Sequence, residues 1–365
     1  MFNKALAFLI ASVSMNCTAS SITFTDAANR EITLDKPAEK IAILYNYTDY
    51  AAVAGDECFK RVVGIGKKAW YGWRNGIWNH YTEACPEIEK IADIGMLRYG
   101  DFHMEQTITL TPDVLILPMW QYEAISNVQK KQFQEANIKL VVTDYASQQL
   151  ESHIKSTLAI GYAIDKVDRA RDIVSFYREQ ISEVTSRVAD LQPQPTYYVE
   201  KGQKGALYQD ETWSKVVWGQ MGDTAGGSNI ADGVIKAGKN GTLTAETVLF
   251  RSPQHIFITG SHWVKNPDAL SMGYGIDQSE ANNILISYKN RLGWADITAL
   301  KSGQVYGLHH GLARSLMDFA AIQFMANQFY PDKMQGIDPE KNLIKFHEKF
   351  LPVKYQGTWL FKAQF

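Results

Sequence analysis

Cysteine is scarce in this chain, net charge is nearly absent, and no long apolar run follows the first few residues. Three Cys among 365 residues exclude a disulfide-stapled scaffold. Lys and Arg number 37 against 39 Asp and Glu, a formal charge of -2, which excludes a nucleic-acid binder driven by bulk charge. Beyond residue 20 nothing approaches the roughly 18 consecutive apolar residues that a spanning helix needs. What is present is an apolar content of 45% with 12% aromatic, too rich for a disordered chain. The length suits about two domains of roughly 150 residues, each able to bury a core of its own.

Residues 1–20 read as a secretory signal. Lys4 supplies the positive start, Ala5 to Met15 is apolar, and Thr18-Ala19-Ser20 offers small residues for cleavage. The apolar run is too short to cross a hydrocarbon core of ~30 Å. Cys17 offers an alternative, a lipid-anchored lipoprotein, but Ser14-Met15-Asn16 before it lack the Leu and the small residue such a site prefers. Loss of Lys4 with the signal takes the formal charge of -2 to -3. Export leads to an oxidising compartment, where Cys58 and Cys85, both beside polar turn-like sequence, are expected to form one disulfide. The alternative for them is a pair of buried thiols.

Short β-branched runs alternate with helical stretches along the rest of the chain, the pattern of an α/β fold with largely parallel strands. Strands are predicted at 40–45, 61–66, 113–118, 139–144, 196–200, 255–259 and 304–308. Between the fourth and fifth, Ile173, Tyr177, Ile181, Val184, Val188 and Leu191 step by three or four positions with charges between them. That spacing predicts one long amphipathic helix over 165–191, stopped by Pro193 and Pro195. The expected organisation is a signal at 1–20, an N-terminal lobe at 21–164, the linker helix at 165–191 and a C-terminal lobe at 192–365. Each lobe is Rossmann-like, with a mostly parallel sheet, and the helix joins them.

An ordered set of segments now carries a family resemblance. It begins with Asp26-Ala27-Ala28-Asn29-Arg30-Glu31-Ile32 and Pro37-Ala38-Glu39-Lys40-Ile41-Ala42-Ile43, then runs through Ile94-Gly95 and Glu105 into Leu110-Thr111-Pro112-Asp113-Val114-Leu115-Ile116. Ala225-Gly226-Gly227-Ser228-Asn229, Leu243-Thr244-Ala245-Glu246, Ser252-Pro253-Gln254-His255-Ile256-Phe257-Ile258 and the stretch from Trp294 to Tyr306 complete it. Together these resemble the periplasmic binding proteins that feed iron-siderophore and cobalamin ABC transporters, a group with a rigid helical backbone between its lobes. The resemblance implies a monomeric periplasmic protein that captures a metal chelate between two lobes and delivers it to an inner-membrane permease and its ATPase. It implies no intrinsic cofactor, with metal present only in the cargo, and no nucleic-acid partner. By position, Glu105 and Glu246 correspond to the family's two permease-docking glutamates. Either one is also an ordinary acidic residue for a first helical turn.

Cargo-binding residues are sought in the loops after strands, where open α/β sheets take ligands. Tyr45 and Tyr47 follow the first strand, Met119 and Trp120 the third, His262 and Trp263 the sixth, and His309, His310 and Arg314 the seventh. After the second strand, Trp70, Tyr71, Trp73, Trp78 and Tyr81 make an aromatic loop that includes Arg74 and His80, with Gly72 and Gly76 expected to break any helix. Such a loop can stack on a flat ligand while Arg74 pairs with its anionic group. Packing as an apolar cluster under a loop is the alternative. Tyr phenolate suits Fe(III), imidazole suits Ni, Co or an open position on an iron chelate, and Arg reads carboxylates and oxyanions. His309 and His310 are the metal-ligand candidates. A ferric siderophore is the expected cargo, ahead of a nickel or cobalt chelate, haem, cobalamin or a molybdate-type oxyanion.

Enzyme readings have little to stand on. Gly233 to Asn240 falls short of a phosphate-binding loop, because Asn240 stands where Ser or Thr must hold magnesium. No H-E-x-x-H, G-x-S-x-G or C-x-x-C motif occurs. A secreted enzyme on a related fold would have only His309, His310 and Asp318 as a loose acid-base set.

Overall fold

The computed structural model describes residues 21–57 and 59–365. The signal segment, Cys17 and Cys58 lie outside the described residues, and with Cys58 lies the expected disulfide. Cys85 is buried at the end of a helix.

Two parallel sheets organise the chain. The strands in order are β1 (Ile22–Thr25), β2 (Glu31–Leu34), β3 (Ile41–Ile43), β4 (Val62–Ile65), β5 (Ala92–Asp93), β6 (Val114–Pro118) and β7 (Lys139–Thr143). They continue as β8 (Thr196–Lys201), β9 (Thr212–Ser214), β10 (Ser228–Asn229), β11 (Lys239–Gly241), β12 (His255–Gly260), β13 (Val305–His309) and β14 (Leu360–Lys362). The first sheet has the order β5-β4-β3-β6-β7 and is parallel throughout. The second has the order β10-β8-β12-β13-β14 and is parallel except for its last strand. β6 and β12 are buried at every residue, as expected of parallel strands covered on both faces. All seven predicted strands occur, with ends moved by one or two residues. Two ribbons, β1-β2 and β9-β11, come in addition. Their strands of three or four residues are too short to show a period in sequence.

Strand order locates the crevices. In the first sheet the chain runs from β3 outward to β5 and then returns to the other side of β3 as β6, so direction reverses between β3 and β6. In the second it runs from β8 to β10 and returns as β12, reversing between β8 and β12. Ligands of open α/β sheets bind beyond the carboxyl ends of strands at these reversals.

The long helix spans Val167–Val188, about 33 Å at 1.5 Å per residue. It starts later than the predicted 165 because Asp165 has a φ of 59, outside the right-handed helical region. Ala170, Ile173, Tyr177, Ile181, Val184 and Val188 form its buried stripe, as their spacing predicts. On one side it packs against the helix Leu150–Ala163, and on the other against Asp318–Phe329, so both halves of the chain rest on it. The Gln323 side-chain amide donates to Gln180 Oε1 at 3.0 Å, which satisfies two buried amides within this seam.

The seam has little tolerance for extra volume. A Cβ built on Gly161 would lie 2.6 Å from the Ala170 Cβ and 3.2 Å from the Lys166 carbonyl oxygen. Gly161→Ala is therefore expected to lower stability by about 1–3 kcal/mol, the usual cost of overpacking, as measured by chemical denaturation. An unchanged midpoint would show that the two helices separate freely here.

Candidate functional site

The carboxyl ends of the strands at both reversals open onto one cavity of about 530 Å³. Tyr45 follows β3, Trp120 follows β6, Lys201 ends β8, Trp263 follows β12, and His310 follows β13, and all of them line it. Trp73, Arg74 and Arg314 line it as well. Of the residues expected from sequence to bind cargo, seven thus come together: Tyr45, Trp73, Arg74, Trp120, Trp263, His310 and Arg314.

Four others do not. Trp70 is buried, stacked on Tyr47 at 4.5 Å between ring centroids, and both belong to the core with Phe59, Trp78 and Tyr81. The Tyr47 hydroxyl is spent on the carbonyls of Leu44 and Gly66. His309 lies behind the cavity wall with its ring against Trp359 at 4.6 Å, and a Cβ on Gly273 would come within 2.7 Å of it. Burial pushes the His309 ring down to about 3, so it is neutral. His262 is outside the lining. Its contribution is a carbonyl that accepts from the Asn75 backbone N–H at 3.2 Å.

The aromatic segment also differs from expectation in backbone. It is not a loop: Lys68–Gly72 forms one π-helical turn and Asn75–Ala84 an α-helix. Gly76 does not break that helix because it occupies the first turn, where the amide N–H has no intrahelical partner in any case. Most of the aromatic rings therefore point into the core, as the packing alternative had it, and only Trp73 and Arg74, in the short connection, turn to the cavity.

Residues that sequence reasoning missed complete the walls: Arg98, Tyr99, Gln203, Glu211, Trp213 and Asn240 among them. Arg98 and Tyr99 sit in a 3-10 turn after β5, Trp213 belongs to β9, and Glu211 immediately precedes it. A strand of three residues leaves no period to read, although the sequence Glu211-Thr212-Trp213 does pair a charge with an aromatic.

The side chains fall into two chemical groups. Trp120 meets Tyr45 at 5.4 Å and Tyr99 at 6.3 Å edge to face, and Trp73 meets Tyr99 at 5.4 Å. The cations are Arg74, Arg98, Arg314 and Lys201. Against them stands Glu211, which Lys201 engages at 3.3 Å while the Asn240 amide donates to its other oxygen. Arg74 lies 5.1 Å from the Tyr45 ring centroid and donates to the Ala313 carbonyl at 3.3 Å. Arg314 has no side-chain hydrogen bond among the described residues, and burial lowers its guanidinium pKa below the usual value. An anion would relieve that deficit.

Backbone geometry aims Arg314. Its φ is 62, a left-handed conformation that costs a non-glycine residue about 1–2 kcal/mol. The Asn46 amide, from the first-sheet half, donates to the Arg314 carbonyl at 3.0 Å and to Asp49 at 3.1 Å. Asp49 in turn accepts from the Leu316 backbone N–H at 2.7 Å. Ser261 donates to the Trp73 carbonyl at 3.1 Å in a second crossing. The segment carrying Arg314 is thus held from the opposite half of the molecule.

Asp318, from the loose acid-base set, is remote from this chemistry. Its neighbour is His153 at 3.6 Å, in the core. Burial raises the Asp318 carboxyl well above its ordinary range and lowers the His153 ring to about 4. Among the described residues no group of three or more His, Cys, Asp or Glu could hold a metal ion. Glu105 and Glu246 are exposed on the first turns of Met104–Leu110 and Ala245–Arg251, and hydrogen bonding with its own backbone and Thr244 keeps Glu246 below its ordinary pKa. No helix among the described residues is long and apolar enough to cross a membrane.

Comparison with known proteins adds family and fold. Residues 65–311 match the family model described as periplasmic binding protein. A solved TroA-like periplasmic binding protein, FepB of Veillonella parvula, is 33% identical, covers 94% of this chain and 100% of its own, and superposes with a TM-score of 0.87. The molybdate-binding protein MolA of Haemophilus influenzae is 22% identical over 96% of each chain, and its molybdate-bound structure has a TM-score of 0.67. A Helicobacter pylori protein, CeuE, solved as a nickel-histidine complex, shares the fold at 15% identity over 92% of this chain and 97% of its own, with a TM-score of 0.62.

The clasp on the Arg314 segment predicts a pH signature. Burial raises Asp49 from 3.8 to about 7, so the folded state holds its proton more tightly than the unfolded chain does. Stability from this group is full below pH 4 and is lost as pH rises toward 7. Asp49→Asn should remove that decline, so the variant's stability relative to wild type should rise between pH 4 and 7 by up to about 4 kcal/mol. A difference that stays constant over this range, measured by urea denaturation, would contradict a buried protonated Asp49.

Proposed function

The chain belongs to the periplasmic binding protein family, and on that premise we propose that it captures an anionic metal chelate of the ferric-siderophore type. The observation that carries this reading is a cavity rich in guanidinium and aromatic groups, beside described residues that offer no metal-ligating cluster. The metal then travels inside its own ligand shell, and the protein binds that shell from outside. Trp73, Tyr99, Trp120, Trp213 and Trp263 supply flat apolar surface for an organic ligand. Arg74, Arg98, Arg314 and Lys201 supply the donors for its carboxylate, catecholate or hydroxamate oxygens. A volume of about 530 Å³ lies within the range of about 300–1,000 Å³ common for organic ligands.

The protein works in this reading as an exported carrier rather than an enzyme. It is monomeric, has no cofactor of its own and releases the ligand unchanged. Exposed Glu105 and Glu246 would orient it on the permease of an ABC importer, and rim charges of this kind act on encounter more than on affinity. A second reading is a molybdate-type oxyanion, favoured by the unpaired Arg314 and by what the Haemophilus relative binds. The cavity is roomy for so small an ion.

Fluorescence titration separates the two. Four of the nine Trp line the cavity, so a bound ferric chelate is expected to quench their emission. Arg74→Ala and Arg314→Ala should each weaken binding about 10-fold or more, the value of a charge-assisted hydrogen bond. Saturable quenching by molybdate or nickel-histidine, with none from any ferric chelate, would reject the siderophore reading.

A further inference from the structure

Among the described residues His310 is the only imidazole in the cavity lining, and its hydrogen bonds decide what it can do there. Its Nδ1 points away from the cavity wall into the protein. The Trp218 indole Nε1 donates to it at 3.3 Å, and Thr259 Oγ1 lies 2.9 Å from the same nitrogen. An indole N–H can only donate, so a proton on Nδ1 would face the indole proton directly. Thr259 adapts to either arrangement because its hydroxyl rotates. The Trp213, Trp218 and Trp263 rings pack around the imidazole at 5.8, 6.1 and 5.6 Å. Nε2 has no partner among the described residues, and Cε1 separates it from the nitrogen that Trp218 engages.

We infer that Trp218 locks His310 in the tautomer with its proton on Nε2, making His310 a fixed hydrogen-bond donor to a ligand oxygen and closing it as a metal ligand. Metal coordination by Nε2 needs its lone pair, which exists only when Nδ1 carries the proton. Protonating both nitrogens is disfavoured too, since burial and the nearby Arg314, Lys201 and Arg74 hold the ring neutral. Trp218 is then a positioning residue that sets specificity from outside the cavity: it selects anions with acceptor oxygens over complexes that have an open metal position. The assignment to a ligand oxygen rests on the proposed function, whereas the lock does not.

The test is made on the empty full-length protein, so that it stands even if no ferric chelate binds. Long-range proton-nitrogen spectra of histidine-labelled protein report the tautomer of each ring, and His310→Gln identifies the His310 signals among the eight His. At neutral pH the wild type and Thr259→Val should both show the Nε2-protonated form. Trp218→Phe should move the population toward the Nδ1-protonated form. Ni²⁺ alone should leave the wild-type His310 signals sharp and broaden them in Trp218→Phe. An Nδ1-protonated or doubly protonated His310 in the wild type would overturn the lock. So would selective broadening of the wild-type ring by Ni²⁺. Should Trp218→Phe fail to fold, the wild-type and Thr259→Val spectra decide the matter by themselves.

Discussion

Uncompensated positive charge at the meeting of the two sheets is the constraint on which the rest of this structure depends. Arg74, Arg98, Arg314 and Lys201 converge on one cavity whose lining, among the described residues, includes a single carboxylate, Glu211, and Lys201 already engages it. Holding a guanidinium such as Arg314 away from bulk water without a partner is unfavourable. The protein tolerates this because its surroundings fix the backbone and the apolar walls rigidly. In the proposed function that cost is offset when an anionic ligand binds, so the arrangement favours negative charge in the cavity.

The fold meets that constraint with supports on both sides. From the first half, Asn46 and Asp49 grip the 314–316 backbone and keep Arg314 in a left-handed conformation. In the second half, buried Arg291 pairs with Glu200 at 2.7 Å and binds the carbonyls of Ala206 and Tyr208, which ties down the 202–210 loop between Lys201 and Glu211. Arg291 itself is sandwiched within 4.5 and 4.4 Å of the Tyr288 and Trp294 rings. One paired arginine in the core thus positions the wall on which unpaired ones work. The helix Val167–Val188 joins the halves by side-chain packing along its length.

Much of this was legible in the sequence, and the failures have a common physical cause. The parallel strands and the long helix declare themselves by runs and period, and the ends of strands lead to Tyr45, Trp120, Trp263 and His310, which share one cavity lining. What period cannot tell is which way an aromatic ring turns. Trp70 and Trp73 are three residues apart, yet one fills the core under Tyr47 and the other lines the cavity, a difference set by the change from π-helical turn to loop at Gly72. His309 and His310 divide similarly, since neighbours at the end of a strand face opposite sides. Arg98 and Glu211 were invisible because they lie on turns and ribbons positioned by tertiary contacts.

Metal-edge X-ray absorption of the complex purified with its natural cargo tests the central claim most directly. If the cavity reads only the anionic exterior of the ligand, the spectrum of the bound metal should match that of the free complex, with no imidazole or phenolate scattering added. A protein nitrogen or phenolate oxygen within the metal's inner sphere would contradict it.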